Sequence, residues 1–209
     1  MSDQSTAITP ARPTRVLVMG PPGAGKGTQC VGLADTLGVP SVSTGDMFRA
    51  LQHADTPLAV RVRSIMTSGG YVDDDTTNAI VDDRLDRPDC ADGFLLDGYP
   101  RTVDQVRHLD EQLDRAGTWL DAVVCLEADE DEVVRRLLAR GQAQGRSDDT
   151  ADTIRARLAV YREQTAPLLD EYRSRGLLVT VDAIGTVAEV TRRIDGVLTG
   201  LLAPSSPTS

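Results

Sequence analysis

A short apolar run, Val16-Leu17-Val18-Met19, leads directly into Gly20-Pro21-Pro22-Gly23-Ala24-Gly25-Lys26-Gly27-Thr28, and a helical pattern follows at once. No other stretch restricts the fold of this chain so tightly. Four consecutive apolar residues suit a strand covered on both faces, as in a parallel sheet. Glycines at this density let backbone N–H groups turn inward around an anion, and the N-terminus of the next helix favours negative charge. The segment therefore reads as a phosphate-binding loop set between a buried strand and a helix. The generic pattern G-x-x-x-x-G-K-[ST] is met from Gly20 to Lys26 and fails at Gly27, with the hydroxyl of Thr28 one residue late.

The lysine inside the loop has no equal elsewhere. Lys26 is the one lysine among 22 basic residues, all the others being arginine. An ammonium is a compact charge on a flexible stem, able to reach between phosphate groups, whereas a guanidinium is a planar fork. The arginine bias itself fits either a GC-rich genome or a salt-adapted proteome.

A chain of 209 residues, 40% apolar and 26% charged, can bury a core as one soluble domain. Aromatics make up only 3%, so the core must come from aliphatic side chains. A net charge of −10 argues against general binding to nucleic acid or an anionic membrane, but leaves room for a local arginine cluster around a nucleotide. Cys30, Cys90 and Cys125 show no metal-ligand spacing and read as buried small residues of a reducing compartment, so the expected location is cytoplasmic and no structural zinc is expected. The Ser/Thr/Pro-rich ends, residues 1–14 and 203–209, read as disordered tails around a domain spanning 15–202. Neither a signal peptide nor a membrane span is apparent, and without an unexplained apolar stripe the expectation is a monomer.

Strand and helix patterns then alternate. Strands are expected at 15–20, 39–44, 93–98, 122–128 and 177–183, with helices at 26–37, 102–116, 129–140, 150–173 and 187–202. Alternation predicts an α/β fold, a parallel sheet with helices on both faces. Gly38, Gly117, Gly141 and Gly176 stand where helices should stop. Two stretches break the pattern. Residues 44–93 hold no convincing strand but three short helical patterns, at 47–53, 57–68 and 74–87, which predicts a small helical insertion. Gly141-Gln142-Ala143-Gln144-Gly145 reads as a hinge-like link of the kind that carries lids.

Several side chains gather chemistry around this frame. Asp97 ends the apolar run Phe94-Leu95-Leu96, where it can hold Mg²⁺ directly or through water. Arg101 follows in Gly98-Tyr99-Pro100-Arg101, outside the carboxyl end of a strand, where ligands of open α/β sheets bind. In Ser43-Thr44-Gly45-Asp46-Met47-Phe48-Arg49, either Thr44 or Asp46 could serve simply as a helix cap; beside the loop, the segment reads as the floor of a second nucleotide pocket. Arg136, Arg140, Arg146 and Arg157 flank the glycine link, where arginines can close over a phosphoryl group. Asp148 and Asp149 either orient them or cap the next helix. His53 and His108 read as surface residues.

Together these segments resemble the adenylate kinase family, from about residue 15 to 202. The loop continues as Gly-Lys-Gly-Thr-Gln, as in that family, and the resemblance extends through 43–49, 93–102, Asp148-Asp149, Arg157 and Tyr161-Arg162-Glu163-Gln164-Thr165-Ala166-Pro167-Leu168. It implies a P-loop α/β/α sandwich with a five-stranded parallel sheet, an NMP-binding insertion at about 43–72 and a short lid at about 139–147, without the four-cysteine zinc site of the long lid. It implies Mg²⁺-dependent reversible transfer, ATP + AMP giving two ADP. Gly23, Ala24, Gly25, Lys26, Gly27 and Thr28 would wrap the ATP phosphates. Arg140, with Arg136 as its rival, would face ATP from the lid, and Gly185 would meet the ATP adenine. Thr44, Arg49, Gly98, Tyr99, Pro100, Arg101, Gln105, Arg146 and Arg157 would fall on the AMP side, with Gly70, Tyr71 and Val72 at its base and ribose. Asp97 would hold Mg²⁺ through water. The catalytic group would be Lys26, Arg101, Arg140, Arg146 and Arg157. Two other readings remain: a UMP/CMP kinase of the same fold, which usually carries Ala where Thr44 stands, and a P-loop nucleotide switch that phosphorylates no small substrate.

Overall fold

A computed structural model describes residues 13–51, 54–144 and 149–202. Five strands, β1 (Thr14–Met19), β2 (Ser41–Ser43), β3 (Gly93–Asp97), β4 (Ala122–Glu127) and β5 (Leu178–Asp182), form one sheet in the order β2-β3-β1-β4-β5, and every pairing is parallel. The expected α/β sandwich is therefore present. Register brings Val18 level with Asp97, so the acid ending β3 stands beside the start of the glycine loop that leaves β1.

Side chains alternate along β1, and each set meets its own helical layer. Val16 and Val18 pack with Leu33 and Leu37 of α1 (Lys26–Leu37) and with Ile194 and Leu198 of α9 (Val187–Leu202). Leu17 and Met19 face the other way, onto Val106, Leu109 and Leu113 of α5 (Val103–Arg115) and Tyr172 of α8 (Leu168–Ser174). The three cysteines are buried and unpaired, as their spacing predicts.

Between β2 and β3 lie α2 (Thr44–Leu51), α3 (Pro57–Ser68) and α4 (Asp74–Leu85), followed by a 3₁₀ turn at Pro88–Cys90. Phe48, Val62 and Val72 form a small core of this segment, separate from the two on either face of the sheet. Ser43, not Thr44 or Asp46, caps α2: its Oγ accepts from the Asp46 N–H at 3.3 Å. That leaves the Thr44 hydroxyl free for another partner.

Three expectations need correction. The link at 141–145 is helical over its described part, because α6 (Glu130–Gln144) runs through Gly141. This glycine serves a close approach rather than a stop, since a Cβ there would stand 3.0 Å from the Cβ of Asp149; the lid range about 139–147 thus begins inside a helix, and its last residues lie outside the described ones. The helix expected over 150–173 is broken: α7 (Ala151–Val160) passes into a π-helical turn at Tyr161–Thr165, and α8 starts only after Pro167. Thr14, assigned to the N-terminal tail, opens β1 and is buried; residues 1–12 and 203–209 lie outside the described ones.

Candidate active site

The loop after β1 needs its first glycine for a steric reason. Gly20 has φ +134°, and a Cβ there would sit 2.4 Å from the carbonyl oxygen of Leu126 on the neighbouring strand. Gly25 then precedes α1 with no side-chain cap, and the first turn of α1 carries no acid. The leading N–H groups of that helix are thus left for an anion. Lys26, its first residue, folds back so that Nζ donates to the carbonyl oxygens of Gly20 at 2.8 Å and Pro21 at 3.0 Å.

Electrostatics here are set by burial. Desolvation pulls the Lys26 ammonium below its ordinary pKa, opposed by Asp97, while Arg101 and Arg157 push it further down. Burial likewise pushes the Asp97 carboxyl up, against the pull of Lys26 and Arg101. Lysine, aspartate and two arginines from three segments thus share one field. Gly27 lies beside the acid: a Cβ there would stand 3.8 Å from Asp97 Oδ2, an ordinary van der Waals contact. Thr28 is exposed.

Two cavities open along the carboxyl edge of the sheet. The first is lined by Gly20, Pro22, Lys26, Tyr161 and Thr165, and the second by Gly45, Phe48, Arg49, Gly70, Val72 and Gln105. Tyr71, Gly98, Arg101 and Arg157 line both, forming the wall where they meet. A chain of contacts fixes that wall. The Arg101 guanidinium lies over the Tyr71 ring, 4.8 Å from its centroid, and its Nε donates to Gly98 O at 2.6 Å. The Tyr71 hydroxyl meets Thr165 Oγ1 at 2.9 Å, and Thr165 donates to the Arg101 carbonyl at 3.0 Å. The hydroxyl of Thr44 donates to Gly98 O at 2.8 Å. Arg49 pairs with Asp46 one turn earlier. Tyr99 and Pro100, expected on the AMP side, line the first cavity and not the second; the Tyr99 side chain is buried and donates to Asn78 Oδ1 at 2.7 Å.

Farther out, Asp149 has a fully buried side chain that takes Arg140 Nε and Nη2 at 2.7 and 2.8 Å, and Arg157 Nη1 at 2.9 Å. Of the two roles open to Asp149, orienting guanidiniums is the one observed; Thr150 caps α7. Arg136 instead pairs with Glu132 and donates to the Ala183 carbonyl, away from that cluster. Arg146, Asp148 and His53 lie outside the described residues. Gly185, φ +125°, stands just before α9. His108 is half-buried rather than on the surface, with Nε2 2.9 Å from both oxygens of Asp82. Sequence reasoning missed Asp74, Tyr161 and Thr165 as site-forming residues; the proline at 167 was the available sign that the helix would break beside Thr165.

A second pocket beside a P-loop, sharing a wall of two arginines with it, is what a nucleotide-to-nucleotide phosphoryl transfer requires. The sequence pattern of the family described as adenylate kinase matches residues 18–177, over half of the chain. This chain belongs to the adenylate kinase family. Similar proteins named adenylate kinase come from Nocardioides sp., 54% identical over 180 residues covering 86% of this chain and 94% of the relative, and from Kocuria rhizophila, 53% identical over 181 residues covering 87% and 96%. A third, from Nocardia farcinica, is 54% identical over 179 residues covering 86% and 96%. As an adenylate kinase family member the chain is a phosphotransferase, and the nucleotide-switch reading falls away.

Proposed function

We propose that this family member transfers a phosphoryl group reversibly between ATP and AMP, with ATP phosphates in the loop 20–28 and AMP in the second cavity. The observation that carries the reading is the shared wall: Arg101 and Arg157 border both cavities, so a group passing between them stays next to positive charge. Lys26 exchanges its two loop carbonyls for phosphate oxygens. Arg101, Arg157 and Arg140 gather around the transferred group, whose charge is spread over its equatorial oxygens in the transition state. Arg146, outside the described residues, is assigned to the AMP side by its position in the sequence alone. No protein base is required, because the AMP phosphate is already an anionic nucleophile; the work is positioning and charge stabilisation. Gly23, Ala24, Gly25, Gly27, Thr28 and Gly185 complete the ATP side; Thr44, Arg49, Gly70, Val72, Gly98 and Gln105 complete the AMP side. Tyr99 and Pro100 contribute where they line the first cavity. Residues 43–72 are the AMP-binding insertion, and the segment around 139–147 is the lid.

The residues fit Mg²⁺. Among the described residues no cluster of three metal-ligating side chains exists, but Asp97 offers one carboxylate beside the loop. One carboxylate, waters and substrate phosphates are the donor set Mg²⁺ prefers. Bound there with ATP, the ion neutralises phosphate charge. No described helix is long and apolar enough to cross a membrane, and a cytoplasmic monomer is our reading. A coupled assay with ATP and each of AMP, UMP, CMP and GMP tests the proposal: AMP should be preferred by at least about tenfold, and equal or better turnover of UMP or CMP would reassign the chain to the pyrimidine branch.

A further inference from the structure

Gln105 is buried yet lines the second cavity, and its amide has partners of opposite character at its two ends. Nε2 donates to Asp74 Oδ1 at 2.7 Å, while Oε1 accepts from the backbone N–H of Arg101 at 2.7 Å. A carboxylate only accepts and a backbone N–H only donates. Rotating the amide by half a turn would therefore set oxygen against oxygen and N–H against N–H. The carboxylate is itself held, because Asp74 Oδ2 accepts from Thr102 Oγ1 at 2.9 Å. Nor is Asp74 needed to cap α4, since Asp73 does that by accepting from the Thr76 N–H at 3.0 Å.

We infer that Asp74 is a positioning residue that sets the purine preference of the second cavity by locking the Gln105 amide in one orientation. The inference rests on the proposal that this cavity takes a nucleoside monophosphate such as AMP. A locked amide keeps one N–H and one lone pair of fixed identity for the cavity. Adenine offers an acceptor at N1 beside an amino donor at C6, which complements such an amide edge. Guanine and hypoxanthine offer a donor at N1 beside a carbonyl at C6, which meets the same edge donor to donor and acceptor to acceptor. Only a flipped amide would suit them, and Asp74 together with the Arg101 N–H opposes the flip. Specificity thus includes a repulsive element held from behind the ligand.

The test compares AMP with IMP, whose bases differ at this edge, in wild-type and Asp74→Asn enzymes. An asparagine can present either an acceptor or a donor to Gln105, so the lock weakens. The kcat/KM ratio of AMP to IMP should fall on the order of tenfold, with the KM for ATP unmoved. An unchanged ratio, or equal proportional losses on both substrates, overturns the inference, because a purely structural role moves both alike. Should the variant fold poorly, side-chain amide exchange in the glutamine-labelled wild-type protein decides instead. One Gln105 amide proton, identified by its loss in Gln105→Leu, should exchange at least about tenfold more slowly than those of exposed glutamines; fast exchange of both protons overturns the lock. A wild-type enzyme indifferent between AMP and IMP refutes the AMP reading itself, and the exchange measurement then judges the lock alone.

Discussion

Replacing Lys26 with methionine separates what the lysine does for catalysis from what it does for stability. In the folded chain its ammonium donates to two carbonyls and borders Asp97, but burial is the largest influence on it and depresses its pKa from the ordinary 10.5. The charge is therefore held at a cost. A folded-state pKa below the unfolded one means that this group's stabilising contribution is present above pH 10.5 and is lost as pH falls through the lowered value. At neutral pH, Lys26→Met removes a buried charge and keeps an unbranched chain, so unfolding free energy should change by no more than about 1 kcal/mol, as when buried ionic groups give way to apolar ones. Turnover should behave otherwise. Losing one preorganised donor to developing charge costs on the order of 100- to 1,000-fold in kcat, or about 3–4 kcal/mol. A coupled ADP-formation assay and a urea titration on the same preparation measure both numbers. Turnover within tenfold of wild type would refute the assigned role, and a stability loss above about 3 kcal/mol would refute the claim that the charge is held at a cost. The variant should also lose the rise in stability between the lowered pKa and pH 10.5.

Tyr71→Phe keeps the ring beneath Arg101 and loses only the bond to Thr165, so kcat/KM for AMP should fall by no more than about fivefold; Tyr71→Leu also loses the cation–π contact and should cost a further ~1 kcal/mol, again about fivefold, read in steady-state kinetics with ATP saturating. Gly20→Ala should destabilise by at least about 2 kcal/mol, because its Cβ would be driven into the Leu126 carbonyl at a positive φ. The exposed Gly32 of α1, where an added Cβ would point into open space, supplies the opposite sign: Gly32→Ala should stabilise by about 0.5–1 kcal/mol. Thermal melts of the pair check both directions.

Legibility in the sequence followed the range of the interactions. The bounds of α1 match the sequence pattern at both ends and α9 begins where expected, because apolar periodicity decides them and the left-handed Gly38 closes α1. All five strands lie within a residue or two of expectation for the same reason. Gly141 misled because a glycine that ends a helix and one that admits a neighbour look alike in sequence; only the fold brings Asp149 against it. The cavity wall was half legible. Lys26, Arg101 and Arg157 stand in motifs, but Thr165 meets Arg101 across 64 residues and Tyr71 across 94, and no local pattern encodes such pairings. Asp74 was hidden in a run of three aspartates whose members differ only in what they face.

The solitary lysine gives the chain an unusual chemical addressability. Apart from the α-amino group, every amine-directed reagent, acyl donor or reductive-methylation mixture has one side-chain target, and it lines the first cavity. Its depressed pKa enlarges the neutral, nucleophilic fraction at any given pH below 10.5. A single mass increment would therefore read loop occupancy directly, with nucleotide protecting the amine and no second lysine confusing the count.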